Sequence, residues 1–117
     1  MKNKKVLIIL CLTLLISVVG CSEVKIEYYE NGKLKRETTV KNDKPEGPSK
    51  IYYESGALKS EFNYKNGKLD GPEITYAKNG GISSIDTYKN GQKINRRSYN
   101  KIGELEFDQD YPYKEEE

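Results

Sequence analysis

The sequence contains no histidine and no tryptophan, and only two phenylalanines, two cysteines and one methionine in 117 residues. Without histidine it lacks the side chain that most often moves protons near neutral pH and most often ligates transition metals. Its cysteines, Cys11 and Cys21, lie within or directly after the one long apolar run, so no cysteine follows residue 21 to act as nucleophile or zinc ligand. No glycine-rich phosphate loop is present either. Carboxylates are plentiful, but Glu30, Glu54 and Glu61 stand at repeat-equivalent or surface positions, and an active site is rarely repeated in every unit. These absences argue against an enzyme and call for no cofactor. Glu104, Glu106, Asp108 and Asp110 alternate, yet they lack the ligand spacing of a dedicated calcium loop, so no metal site is expected and a solvated acidic tail is.

Apolar side chains are scarce too. Leu, Ile, Val and Phe supply only 15 of the 97 residues from position 21 onward, little for a compact core. What apolar density there is gathers at the start. Lys2, Lys4 and Lys5 precede the uncharged stretch Val6–Gly20, 15 residues long. A helix needs roughly 20 apolar residues to span a bilayer, so residues 1–20 read as a secretory signal peptide. Val18-Val19-Gly20-Cys21 is similar to the lipobox of bacterial lipoproteins, where the Cys thiol receives a diacylglyceryl group and the small residue before it admits the peptidase. The expected mature chain begins at a lipidated Cys21, with residues 21–23 as a tether, exposed outside the cytoplasm on the cell membrane or outer membrane. More than one acyl chain gives firm anchoring where a single chain is marginal.

Beyond the tether the sequence repeats. Tyr28-Tyr29-Glu30-Asn31-Gly32-Lys33-Leu34 aligns with Tyr52-Tyr53-Glu54-Ser55-Gly56-Ala57-Leu58 at a period of 24. Tyr76-Ala77-Lys78-Asn79-Gly80 opens a third copy, and Tyr99-Asn100-Lys101-Ile102-Gly103 a fourth, one residue early. Asn-Gly is the strongest two-residue hairpin signal, because a type I′ turn needs positive φ at both central residues. Such turns, or near variants, are expected at Asn31-Gly32, Asn42-Asp43, Ser55-Gly56, Asn66-Gly67, Asn79-Gly80 and Asn90-Gly91, with spacings alternating between 11 and 13 residues. The predicted fold is all-β: an elongated antiparallel meander of hairpins forming a single-layer curved sheet over residues 24–108. Its units lie near 28–51, 52–75 and 76–98, with a partial unit at 99–108 and an acidic tail at 109–117. Two-residue loops would set Tyr29 across from Leu34, Tyr53 from Leu58 and Tyr64 from Leu69.

The run Tyr52–Pro72, Tyr-Tyr-x-x-Gly-x-Leu followed by Tyr-Lys-Asn-Gly-Lys-x-x-Gly-Pro, resembles the MORN repeat variant of bacterial proteins, many of them grouped as YwqK-family antitoxins. The resemblance implies a curved antiparallel sheet that binds proteins or lipids and brings no catalytic residues. The third unit departs from the pattern, with Ile85 and Asp86 where the others have Glu and Thr or Phe.

Two functions are carried forward. The first is a membrane-anchored protein-interaction module with an antitoxin or immunity role. The second is an envelope structural or adhesive lipoprotein gripping glycan or lipid headgroups. The candidate binding face is the set Tyr28, Tyr52, Tyr64, Tyr76 and Tyr88, which alternatively forms the core of a thin sheet. Residues 24–103 carry a net charge of +6 and residues 104–117 a net −6. Basic residues among aromatics suit nucleic acid, but export argues against that partner.

Overall fold

The computed structural model describes residues 21–117; the expected signal peptide lies outside them. The described residues form one antiparallel sheet of nine strands. In chain order these are β1 (Ser22–Tyr28), β2 (Leu34–Lys41), β3 (Lys44–Tyr52), β4 (Leu58–Lys65), β5 (Lys68–Leu69), β6 (Gly71–Tyr76), β7 (Ile82–Lys89), β8 (Gln92–Tyr99) and β9 (Leu105–Asp110). Each strand pairs with its chain neighbours, except that the short β5 caps β4 and leaves β6 to continue the sheet. This is the expected meander of hairpins.

Two kinds of turn alternate along it. At Asn42-Asp43, Asn66-Gly67 and Asn90-Gly91 both central residues have positive φ, as a type I′ turn requires. They close the pairs Lys41–Lys44, Lys65–Lys68 and Lys89–Gln92. The other turns are different. The Gly32 N–H donates to the Tyr29 carbonyl and the Tyr29 N–H to that of Lys33, while Gly32 alone has positive φ. This is a type I turn followed by a left-handed glycine, which adds a residue and makes a bulge. The same bonds recur at Tyr53–Ala57, Ala77–Gly81 and Asn100–Glu104.

The bulge corrects the expected register at these turns. Leu34 faces Tyr28 rather than Tyr29, Leu58 faces Tyr52 rather than Tyr53, and the series continues with Tyr76–Ile82 and Tyr99–Leu105. The Tyr64–Leu69 pair at a type I′ turn stands as expected.

Away from the bulges register assigns the faces, since directly opposed residues share a side and chain neighbours alternate. Ser49 opposes Phe62, Ile51 opposes Ser60, and Ser60 opposes Thr75. This face holds all five buried residues: Val40, Ser49, Ser60, Phe62 and Asp86. A single layer can bury side chains on one face only by curling round them, so this is the concave side. Small residues line its middle. Ser49, 1% exposed, donates its hydroxyl to the Glu37 carbonyl at 2.8 Å and lies 3.2 Å from Thr38 Oγ1. Its polar atom is therefore satisfied where the curl is tight.

Candidate functional site

The five tyrosines expected on one binding face divide between two. Glu37 opposes Ile26 and Lys50, which places Tyr28 and Tyr52 on the convex side with it; Glu61 opposes Ile74, which places Tyr76 there too. Two of these phenols are already engaged. Tyr52 Oη donates to Glu37 Oε2 at 2.8 Å and Tyr76 Oη to Glu61 Oε1 at 2.7 Å, each carboxylate coming from the preceding unit. Burial, then the Glu37 hydrogen bond, pushes the Tyr52 phenol up to about 12. The Glu61 hydrogen bond, then burial, raises the Tyr76 phenol. These two rings are braces between units.

A second set of braces went unrecognised in the sequence. Tyr29 Oη donates to the Tyr52 carbonyl at 2.6 Å, and Tyr53 Oη to the Tyr76 carbonyl at 2.8 Å. Lys35 and Lys59 sit over these rings, 5.7 and 5.6 Å from the centroids. The doubled Tyr-Tyr was the available signal: the first tyrosine ties back to the unit before, the second forward to the unit after. The third unit has Ala77 in the second position and has no such tie.

Tyr64 and Tyr88 belong to the concave face, opposite Gly47 and Gly71. Tyr64 meets Phe62 edge-on, with ring centroids 5.5 Å apart. On the same face the third unit replaces apolar burial with charge. Asp86, repeat-equivalent to Thr38 and Phe62, is only 8% exposed. Lys93 Nζ donates to its Oδ2 at 2.7 Å, and Arg96 Nε stands 3.4 Å from its Oδ1. The geometry to Arg96 makes an ion pair but no hydrogen bond, so the buried Oδ1 has no hydrogen-bond partner. Buried oxygens are usually bonded, and one left over marks a place where a donor is wanted.

Glu73 opposes Asp86 across the strands, and Lys93 sits 5.6 Å from the centroid of the Tyr88 ring. Burial, then the Glu73 charge, raises the Tyr88 phenol despite Lys93, and the Asp86 hydrogen bond raises Lys93. The concave face thus carries the Phe62–Tyr64 pair and, on β6 to β8, Tyr88 with two acids and two bases. Among the described residues no cluster of three or more His, Cys, Asp or Glu is arranged to hold a metal ion. A shallow open hollow lined by Tyr99, Lys101, Ile102 and Glu106 lies at the last hairpin, away from this group.

The MORN repeat variant matches residues 24–42, 45–66 and 69–90, more than half of the chain. The chain belongs to the MORN repeat variant family. No curated protein and no solved structure matches it. Membership accounts for a repeat-based binding module, and the matched segments are three copies of one strand–turn–strand unit. The fourth unit lies beyond the matches, and here the acidic end is more ordered than a solvated tail. Asp108 and Asp110 lie in β9, where both accept from Asn95 Nδ2 and Asp108 pairs with Arg97 at 3.2 Å. The Asn95 bond, followed by Arg97, holds the Asp108 carboxyl below its ordinary range against some desolvation. Past β9 the chain turns along β8: Tyr111 N–H donates to the Ile94 carbonyl, Gln92 and Lys114 exchange two bonds, and Glu116 reaches Lys68 at 2.6 Å. Cys21, the expected lipidation site, is exposed directly before β1.

Proposed function

We propose that this chain is an exported, non-enzymatic MORN-variant module, held at the cell envelope by acyl chains on Cys21, that binds a partner protein through its concave face. The observation carrying this reading is the contrast between the faces. Convex Tyr52 and Tyr76 spend their hydroxyls on Glu37 and Glu61. The concave side carries the Phe62–Tyr64 ring pair on the same face as Tyr88 and the buried Asp86 carboxylate with its bases Lys93 and Arg96. An aromatic anchor flanked by charge is the composition of an energetic centre in protein recognition. The lipobox-like Val18-Val19-Gly20-Cys21 supports anchoring, and within that setting an immunity or antitoxin role toward an exported toxin fits the family's bacterial members.

The test is affinity capture from envelope extract by the full chain, with Cys21→Ala to follow location. Tyr64→Ala and Asp86→Ala should release a protein that Tyr52→Phe retains, and Cys21→Ala should shift the chain out of the membrane fraction. Retention on protein-free vesicles or cell wall, with no protein lost on Tyr64→Ala, would favour the adhesive reading.

A further inference from the structure

The two open edges of the sheet are complementary in the terms the sheet itself uses. Where one unit meets the next, β2 pairs with β3, β4 with β6 and β7 with β8. By repeat position β9 corresponds to β2, β4 and β7, because Ser98–Phe107 and Tyr99–Leu105 repeat Thr75–Ser84 and Tyr76–Ile82. In the same way β1 corresponds to β3, β6 and β8, since Glu27–Arg36 repeats Ile51–Ser60. The outer edge of β9 therefore lacks the kind of strand that β1 is, and β1 lacks the kind of strand that β9 is.

We infer that a second copy of this chain continues the array, its β1 pairing antiparallel with β9 in the register of the internal junctions. That register sets Phe107 opposite Glu27 of the next copy, Asp108 opposite Ile26 and Gln109 opposite Lys25. It also completes an unfinished motif. At the junction of β4 and β6, Glu61 opposes Ile74 and accepts from Tyr76 two residues on. Across the copies, Asp108 opposes Ile26 and Tyr28 lies two residues on, so carboxylate, isoleucine and tyrosine recur in the same places. The chain's own last junction lacks this motif, with Ile85 opposite Arg97.

Exposure agrees. Tyr28 is 40% exposed, and Leu105 and Phe107 on the β9 edge are 53% and 44% exposed. Because the two edges are different surfaces the contact is heterologous, so copies add without closing unless curvature brings the ends together.

Directly opposed residues on antiparallel strands are near enough for a disulfide. The full chain in detergent, carrying both Lys25→Cys and Gln109→Cys, should give a ladder of dimer, trimer and higher species on mild oxidation. A mixture of the two single variants should stop at the dimer. Gln109→Cys combined with Ile26→Cys, which lie on opposite faces, should give no more adduct than the unsubstituted chain. Tyr28→Phe in the cross-linking chain should raise the concentration for half-maximal adduct about tenfold, the effect of one hydrogen bond to a charged group. Strong adduct from Gln109→Cys alone would show β9 pairing with itself and overturn the inference. So would a ladder no stronger than that of the unsubstituted chain, or a Tyr28→Phe chain that cross-links as before.

Discussion

Replacing Tyr53 with Phe removes one oxygen and keeps the ring under Lys59, which isolates the forward tie between units. The tie is a 2.8 Å hydrogen bond from Tyr53 Oη to the Tyr76 carbonyl. A hydrogen bond of this kind contributes about 1 kcal/mol net, and leaving a half-buried carbonyl without it forfeits that amount or slightly more. For a domain of this size about 1 kcal/mol lowers the melting temperature by roughly 4–8 °C. The reverse change is available in the same molecule. Ala77 makes the same turn bonds as Tyr29 and Tyr53, its N–H donating to the Gly81 carbonyl and its own carbonyl accepting from Gly80. Ala77→Tyr should therefore present a hydroxyl toward the Tyr99 carbonyl and raise stability by a comparable amount. Urea unfolding followed by far-UV circular dichroism gives both values against the parent chain. If Tyr53→Phe leaves the midpoint in place and Ala77→Tyr does not raise it, the phenol ties are incidental and the reasoning fails.

Three further outcomes are expected. Gly47→Ala should cost about 1–2 kcal/mol, because φ is +105° there and a Cβ would lie 3.3 Å from Thr39 Cγ2; thermal melting should show a larger loss than for Asp70→Ala, whose backbone is not among the positive-φ positions. The Tyr52 phenol, raised to about 12 by burial and Glu37, binds its proton more tightly in the folded state than the usual value near 10 allows unfolded. Its stabilising contribution is thus complete below pH 10 and lost as pH rises toward 12, and Tyr52→Phe should flatten that part of a stability-against-pH curve. Asp86→Phe places in the third unit the residue the second has at Phe62. Removing one partner of a buried ion pair leaves the other's charge uncompensated, so with Lys93 and Arg96 still in place the urea midpoint should fall and partner capture be lost.

Much of this fold was legible because Asn-Gly and Asn-Asp punctuate the chain at fixed intervals, and the type I′ turns fell where that chemistry put them. The remaining turns misled because the same Asn-Gly string serves two geometries. At Asn31-Gly32 only the glycine is left-handed, and the extra residue slips the pairing from Tyr29 to Tyr28. The alternation of 11 and 13 residues between turns was the trace of that difference. The slip ends at the bulge, because Glu27–Arg36 and Ile51–Ser60 are the pairs a two-residue loop also gives; the tyrosines were grouped on one side by their recurrence in the repeat and not by register.

The charged group on the concave face was hidden for another reason. Asp86 stood out as a departure from the repeat, but its partners Lys93 and Arg96 sit on the next strand and look like ordinary surface bases in the sequence. The acidic end read as solvated because charge alone does not reveal Asn95 and Arg97 waiting opposite Asp110 and Asp108.

Both faces of the sheet follow from the mid-strand register, and nuclear Overhauser contacts across the strands of the mature chain measure that register directly. Cross-strand contacts joining Ile26 with Glu37, Ser49 with Phe62, Ser60 with Thr75 and Glu73 with Asp86 are the expected result. Contacts shifted by one residue, such as Ser49 with Glu61 and Ser60 with Ile74, would turn the side chains over and contradict it.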